Sequence, residues 1–135
     1  MRPHHNLKVW QDAMVLVRRI YALSAAFPDD ERFGLTAQMR RSAISVPSNI
    51  AEGAARASSK EFARFLMVAR GSLSELDTQL RIAHDLGFAD TSEILRDVDS
   101  IFAMLAGLVR AQTDSSRAAK PRPDEAAKRP PSRLS

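Results

Sequence analysis

Ser42, Ser45 and Ser48 recur every third residue in the stretch RRSAISVPSNIAEG. They are the first side chains in this chain whose type and spacing suggest a nucleophile. A nucleophilic serine needs a base held beside it. No histidine stands near these three in the sequence, and neither a G-x-S-x-G elbow nor a glycine-rich phosphate loop is present. Small residues on a helix serve close packing, and that role is expected here. The one histidine inside the chain is His84, with Arg81 three residues before it. A carboxylate-bridged di-metal bundle calls for Glu-x-x-His on facing helices, and arginine occupies the glutamate position. Some RNA-cleaving helical bundles set an arginine and a histidine several residues apart, whereas only Ile82 and Ala83 separate these two. His4 and His5 are adjacent and would not converge on one metal ion. The expectation is a protein without catalytic residues, metal or cofactor.

The cationic side chains point elsewhere. Arg56, Lys60 and Arg64 recur at steps of four, Arg40 and Arg41 form one pair, and Arg18 and Arg19 another. Arg117, Lys120, Arg122, Lys128 and Arg129 follow near the C-terminus. Such groups contact phosphates without reading bases; the alternative is a solvated, salt-bridged surface. No aromatic platform for single strands is visible, because most aromatic residues fall on core stripes. The net charge is +4, and residues 113–135, with six basic and three acidic groups, hold +3 of it. Residues 1–112, with fourteen and thirteen, hold +1. Gly71 and Glu75 stand in RGSLSEL. Glycine inside a helix costs about 1 kcal/mol relative to alanine, so close approach of another helix is expected at Gly71. Glu75 is then placed to pair with Arg40 or Arg41 in a partly buried ion pair.

Four helices must position these groups. The first carries Leu7, Trp10, Met14, Val17 and Tyr21 at steps of 3, 4, 3 and 4, the rhythm of a seam facing other helices. A second stripe, Ala13, Leu16, Ile20, Leu23 and Phe27, widens that face, and Pro28 ends the helix. The second helix begins near Leu35, with Leu35, Met39, Ser42, Val46, Asn49 or Ile50, and Gly53 inward. Its periodicity runs across Pro47, which removes one backbone hydrogen bond. A kinked helix is the preferred reading; a break with Asn49 capping a fresh helix and Glu52 completing its box is the other. Ser58 and Glu61 form a capping box ahead of Phe62, Leu66, Ala69, Leu73, Leu76, Leu80 and Ala83, and Gly87 suits a left-handed helix end. Asp90 and Glu93 make a similar box before Ile94, Val98, Ile101, Leu105 and Leu108. A further stripe, Leu95, Phe102 and Val109, fits either an intermolecular contact or deeper burial in the monomer.

Short connections favour antiparallel neighbours, so the expected fold is all-α: an up-down-up-down antiparallel four-helix bundle with helix 2 kinked at Pro47. Residues 1–6 form an N-terminal segment, 7–112 the bundle and 113–135 a basic, proline-rich tail expected to be disordered. A turn near residues 56–57 would put Arg41 level with Ser72, Asn49 with Arg64 and Glu52 with Glu61. No apolar run approaches the roughly 20 residues that span a bilayer. There is no cysteine and no apolar signal core at MRPHHNLKVW, and the protein is expected in the cytoplasm.

LKVWQDA, FPDDERFGLTAQMRRSAISVPSNIAEGAAR and EFARFLMVARGSLSELDTQL, in that order, resemble the small bacterial four-helix-bundle family first found encoded in intervening sequences of large-subunit ribosomal RNA genes. The resemblance covers about residues 5–112. It implies a homopentameric ring and a non-enzymatic role. A related branch, the accessory protein of diversity-generating retroelements, implies a basic pentamer that binds nucleic acid and a reverse transcriptase. Arg40, Arg41, Ser45, Pro47, Asn49, Glu52, Gly53, Gly71, Ser72 and Glu75 match the family pattern and look like fold and assembly determinants. Five chains at +4 would total +20, and five bodies at +1 only +5, so the tails would carry most of the ring's charge.

The expected function is therefore a homo-oligomeric adaptor for RNA or for a nucleic-acid-handling protein, acting on no small-molecule substrate. A purely protein-binding scaffold is the alternative, and a ribonuclease using His84 a third reading.

Overall fold

The computed structural model describes residues 2–118. Four helices account for most of them: α1 (Lys8–Ser24), α2 (Leu35–Ala54), α3 (Ser59–Asp85) and α4 (Ser92–Ala118). Short 3-10 turns at Pro3–Asn6 and Asp29–Glu31 precede α1 and α2. Each helix packs on two neighbours, α1 on α2 and α4, and α3 on α2 and α4, leaving α1 diagonal to α3. Neighbours run antiparallel. Gly53 abuts Phe62 and Phe65 while Ser45 meets Ser72 farther from the same turn. Arg40 reaches Ser24, Arg19 pairs with Asp97, and Ser59 lies beside Ser115. The fold is the all-α four-helix bundle read from the sequence. No described helix is long and apolar enough to cross a membrane.

One contiguous core fills the bundle. From α1 it takes Val9, Ala13, Leu16 and Ile20, with Phe27 just beyond. The two α1 stripes thus exchange the roles the sequence suggested. Trp10, Met14 and Val17 are half-buried and Tyr21 is exposed, along a groove between α1 and α2. Two seams of equal rhythm cannot both face the centre, and the one carrying the small Ala13 lies inward. The core sides of α2, α3 and α4 are those expected, with Ile50 rather than Asn49 buried. Leu95, Phe102 and Val109 pack against the core and are half-buried.

α2 is continuous across Pro47, so the break-and-recap reading is wrong. Proline cannot donate to the carbonyl one turn back. In that turn Ser48 Oγ donates to the Ile44 carbonyl at 2.8 Å and Asn49 Nδ2 to the Ser45 carbonyl at 2.8 Å. Asn49 also reaches Ser45 Oγ at 2.9 Å, and Ser45 Oγ shares a hydrogen with Ser72 Oγ of α3 at 2.7 Å. The small polar residues around Pro47 bridge α2 to α3.

Ser58 caps α3 by accepting from the Glu61 amide at 3.1 Å. Gly87, at φ 77°, ends it: the Gly87 amide donates to His84 O and the Phe88 amide to Ala83 O, both at 2.9 Å. The Phe88 ring then packs on Phe27, centroids 5.6 Å apart. α4 starts two residues after Asp90, whose carboxylate accepts from the Ser92 amide at 3.0 Å in an Asx turn rather than a box with Glu93. α4 also continues past Gln112 to Ala118. Thr113 Oγ1 donates to the Val109 carbonyl at 2.9 Å, and Gln112, Thr113 and Ser116 are half-buried. Residues 113–118 are therefore helix, not tail.

Candidate nucleic-acid interface

The register of α2 on α3 decides which charges meet. It lies one helical turn from that obtained by folding the sequence about residues 56–57. Ser45, not Arg41, meets Ser72. Glu52 pairs with Arg56 one turn further along the chain, and Arg64 with Glu61 at 3.0 Å. Asn49 bonds to Ser45 rather than lying with Arg64. The setting point is Gly53: a Cβ there would lie 2.7 Å from the Phe65 Cβ and 3.0 Å from Phe62 Cδ1. Close helix approach, expected at Gly71, occurs at Gly53. Gly71 is exposed, and a Cβ there would meet nothing within 4 Å.

Arg40 does not reach Glu75. Its Nε donates to Ser24 Oγ at 2.9 Å, and its guanidinium lies 4.5 Å from the centroid of the Tyr21 ring. Glu75 is exposed and forms no ion pair among the described residues. The long side chain of Arg40 follows the buried Ser24 hydroxyl across to α1 instead of the register toward α3.

The predicted cations fall at opposite ends of the bundle. Arg18, Arg19, Arg40 and Arg41 lie in the half that holds the α1–α2 and α3–α4 connections. Arg19 is neutralised by Asp97, while Arg18 and Arg41 are exposed. Arg56, Lys60, Arg64 and Arg117 lie in the other half, where α1 begins, α2 turns into α3 and α4 ends. There Arg56 and Arg64 stack over Phe65, 5.0 and 4.6 Å from its centroid. Arg64 donates to Glu61 and, with Arg56 and Lys60 nearby, holds that carboxyl below its ordinary pKa. Lys60 and Arg117 are without ion pairs among the described residues. Lys120, Arg122, Lys128 and Arg129 lie outside the described residues.

Topology adds Arg2, Lys8 and Arg110 to this half. Sequence reading missed them, because only the antiparallel arrangement brings the two chain ends to the α2–α3 turn. The half then holds seven basic side chains against Asp12, Glu52, Glu61 and Asp114, a net of +3. The opposite half holds seven basic against nine acidic side chains, a net of −2. Arg70 and Glu75 sit between them. α4 ends in this half at Ala118, and the sequence that follows holds five basic and two acidic residues.

At the same end His4, His5 and Trp10 cluster, with centroids 4.4 to 5.2 Å apart. Partial desolvation, then His5 and Arg2, push the His4 pKa down. His84 is exposed, and Arg81 turns back to Asp77 at 3.1 Å, which raises the Arg81 pKa. No group of three or more histidine or carboxylate side chains that could hold a metal lies among the described residues.

These features define a small antiparallel helical bundle with its charge sorted along the axis. The chain matches the 23S rRNA-intervening sequence protein family over residues 5–107 and belongs to it. Among curated proteins no match is found.

Proposed function

We propose that this protein is a non-catalytic, self-assembling adaptor that holds RNA by its phosphates at the end of the bundle where α2 turns into α3. The observation that carries this reading is the separation of charge: a net of +3 in that half against −2 in the other, with the basic C-terminal sequence joined to the positive end. Phosphate contacts of this type give affinity without base reading and weaken steeply with salt. Self-assembly, pentameric by resemblance, supports the reading further, because repeating a modest positive end multiplies its contacts. Within the end, Lys60 and Arg117 are cations without ion pairs among the described residues, while Arg56 and Arg64 are shared with carboxylates. The cytoplasm is the compartment in which such a partner would be met.

The test is retention of a single-stranded RNA of mixed sequence across a salt series, by the full chain and by a chain ending at Ala118. The full chain should retain RNA at low salt and release it as salt rises. The shortened chain, with α4 complete, should bind more weakly and with a shallower salt dependence. A full-length chain that ignores RNA at low salt contradicts the RNA assignment. RNA cleavage that disappears in His84→Ala would contradict the non-catalytic part.

A further inference from the structure

We propose that the C-terminal segment after Ala118 folds back along the groove between α1 and α4 of its own chain, and that RNA competes with this groove for the segment's cations. The docking stands on the groove and the segment alone; the competition rests on the RNA reading above.

α1 and α4 touch least among the neighbouring helix pairs, and two depressions open along their seam. The first lies toward the end where α4 finishes. It is lined by Leu7, Lys8, Val9, Met104, Gly107 and Leu108 and is almost wholly apolar. A Cβ on Gly107 would meet nothing within 4 Å, so no neighbour within the bundle fills that space. The second depression follows along the same seam, where Asp12, Val15 and Arg19 of α1 face Asp97, Ser100 and Ile101 of α4. Glu93 stands one turn before Asp97 on the same side of α4. The groove therefore changes along its length from apolar, with Lys8 at its rim, to acidic. Lys8 pairs with Asp12 and Arg19 with Asp97, but both cations are largely exposed. Exposed pairs of this kind exchange partners at little cost.

The segment that begins at the mouth of the groove, AKPRPDEAAKRPPSRLS, carries its groups in the matching order. Pro121 and Pro123 come first, then Asp124 and Glu125, then Lys128 and Arg129. Proline favours an extended backbone of about 3.1 Å per residue, against about 1.5 Å in a helix. With the chain reversed at Ala119, Pro123 falls about 12 Å and Arg129 about 31 Å back from the end of α4. Leu108 lies about 15 Å and Asp97 about 32 Å from that end. Pro123 thus comes to the apolar depression, Asp124 and Glu125 to Lys8, and Lys128 and Arg129 to Asp97.

Charge and tethering select this occupant. The half in which α4 ends has a net charge of +3 and repels a basic segment, while the groove leads toward the half at −2. The segment is joined to the groove's own helix, which raises its effective concentration above that of any free peptide. Once docked, its cations lie on carboxylates, and RNA phosphates must displace that contact to reach them.

A carbodiimide joins lysine amines directly to carboxylates that touch them. On the full chain at low salt without RNA, mass spectrometry should find Lys128 joined to Asp97 or Asp12. An equal mixture of ordinary and isotopically heavy chains should show both partners of each link coming from one chain. Gly107→Gln fills the apolar depression without changing charge and should reduce these links several-fold. Circular dichroism checks that its helices persist, and raised salt should remove the same links from the wild type. Links from Lys128 confined to Asp114, Asp124 or Glu125, or links to the groove that form only between chains, overturn the docking. Full-length Gly107→Gln should bind single-stranded RNA several-fold more tightly than the wild type, while the same substitution in a chain ending at Ala118 should change nothing. Equal affinities of the full-length pair overturn the competition. A wild type that ignores RNA overturns the RNA reading and the competition with it, and the cross-links then decide the docking by themselves.

Discussion

Arg40 in α2 donates from Nε to the hydroxyl of Ser24 in α1 at 2.9 Å, and that buried hydroxyl donates in turn to the Ile20 carbonyl at 2.7 Å. The link ties the end of α1 to the first half of α2 and occupies an arginine that the sequence offered to phosphates. Arg40 is better understood as a clamp, further held by the Tyr21 ring.

Replacing Ser24 by alanine should therefore lower stability by about 1–2 kcal/mol, the scale of a missing hydrogen bond to a charged group. RNA retention should not change. Urea unfolding and the salt series check the two halves of this statement. Unchanged stability with weakened RNA retention would return Arg40 to the binding surface.

Gly53 and Gly71 should respond oppositely to alanine. At Gly53 the added Cβ would lie 2.7 Å from the Phe65 Cβ, and forcing α2 from α3 should cost about 1–3 kcal/mol. At Gly71 the Cβ meets open space, and the change should stabilise the isolated chain by about 0.5–1 kcal/mol. Unfolding curves of the two variants and the wild type, taken at one low protein concentration, make the comparison. Equal effects at the two positions would contradict the packing described.

Asp90 titrates below its ordinary value because the Ser92 hydroxyl and amide both donate to its charged form. A folded pKa below the unfolded one contributes stability above the unfolded value. That contribution is lost as the pH falls through the folded value. Below about pH 4 the wild type should lose stability more steeply than Asp90→Asn. Urea midpoints at neutral and acidic pH measure this, and parallel losses in the two proteins would refute it.

The elements were legible because their signals are local. Ser58 with Glu61, Gly87 before Phe88, and the apolar steps of α3 each act within one or two turns. The choice between the two α1 stripes was not legible, since both repeat at the same steps and only the fit of Ala13 and Leu16 against the rest of the bundle decides it. The α2–α3 register was misjudged by a turn because counting from a loop ignores Gly53, whose missing side chain sets where the helices touch. Of the candidate interface, Arg56, Lys60 and Arg64 were visible as a run. Their union with Arg2, Lys8, Arg110 and Arg117 depends on chain direction, which no short stretch encodes. The end of α4 was missed because Thr113 and Ser116 are polar, yet half-buried along the side of the last turns.

Charge sorting is the central claim, and reversing charge at each end tests it most directly. RNA affinity at low salt should be compared for the wild type, for Lys60→Glu with Arg117→Glu at the positive end, and for Arg81→Glu with Arg96→Glu at the other. The account predicts that the first pair weakens binding by about tenfold or more. It also predicts a flatter salt dependence, by roughly 0.7 in slope for each phosphate of a single strand no longer neutralised, while the second pair leaves both nearly unchanged. Equal losses from the two pairs, or a loss confined to the second, would contradict it.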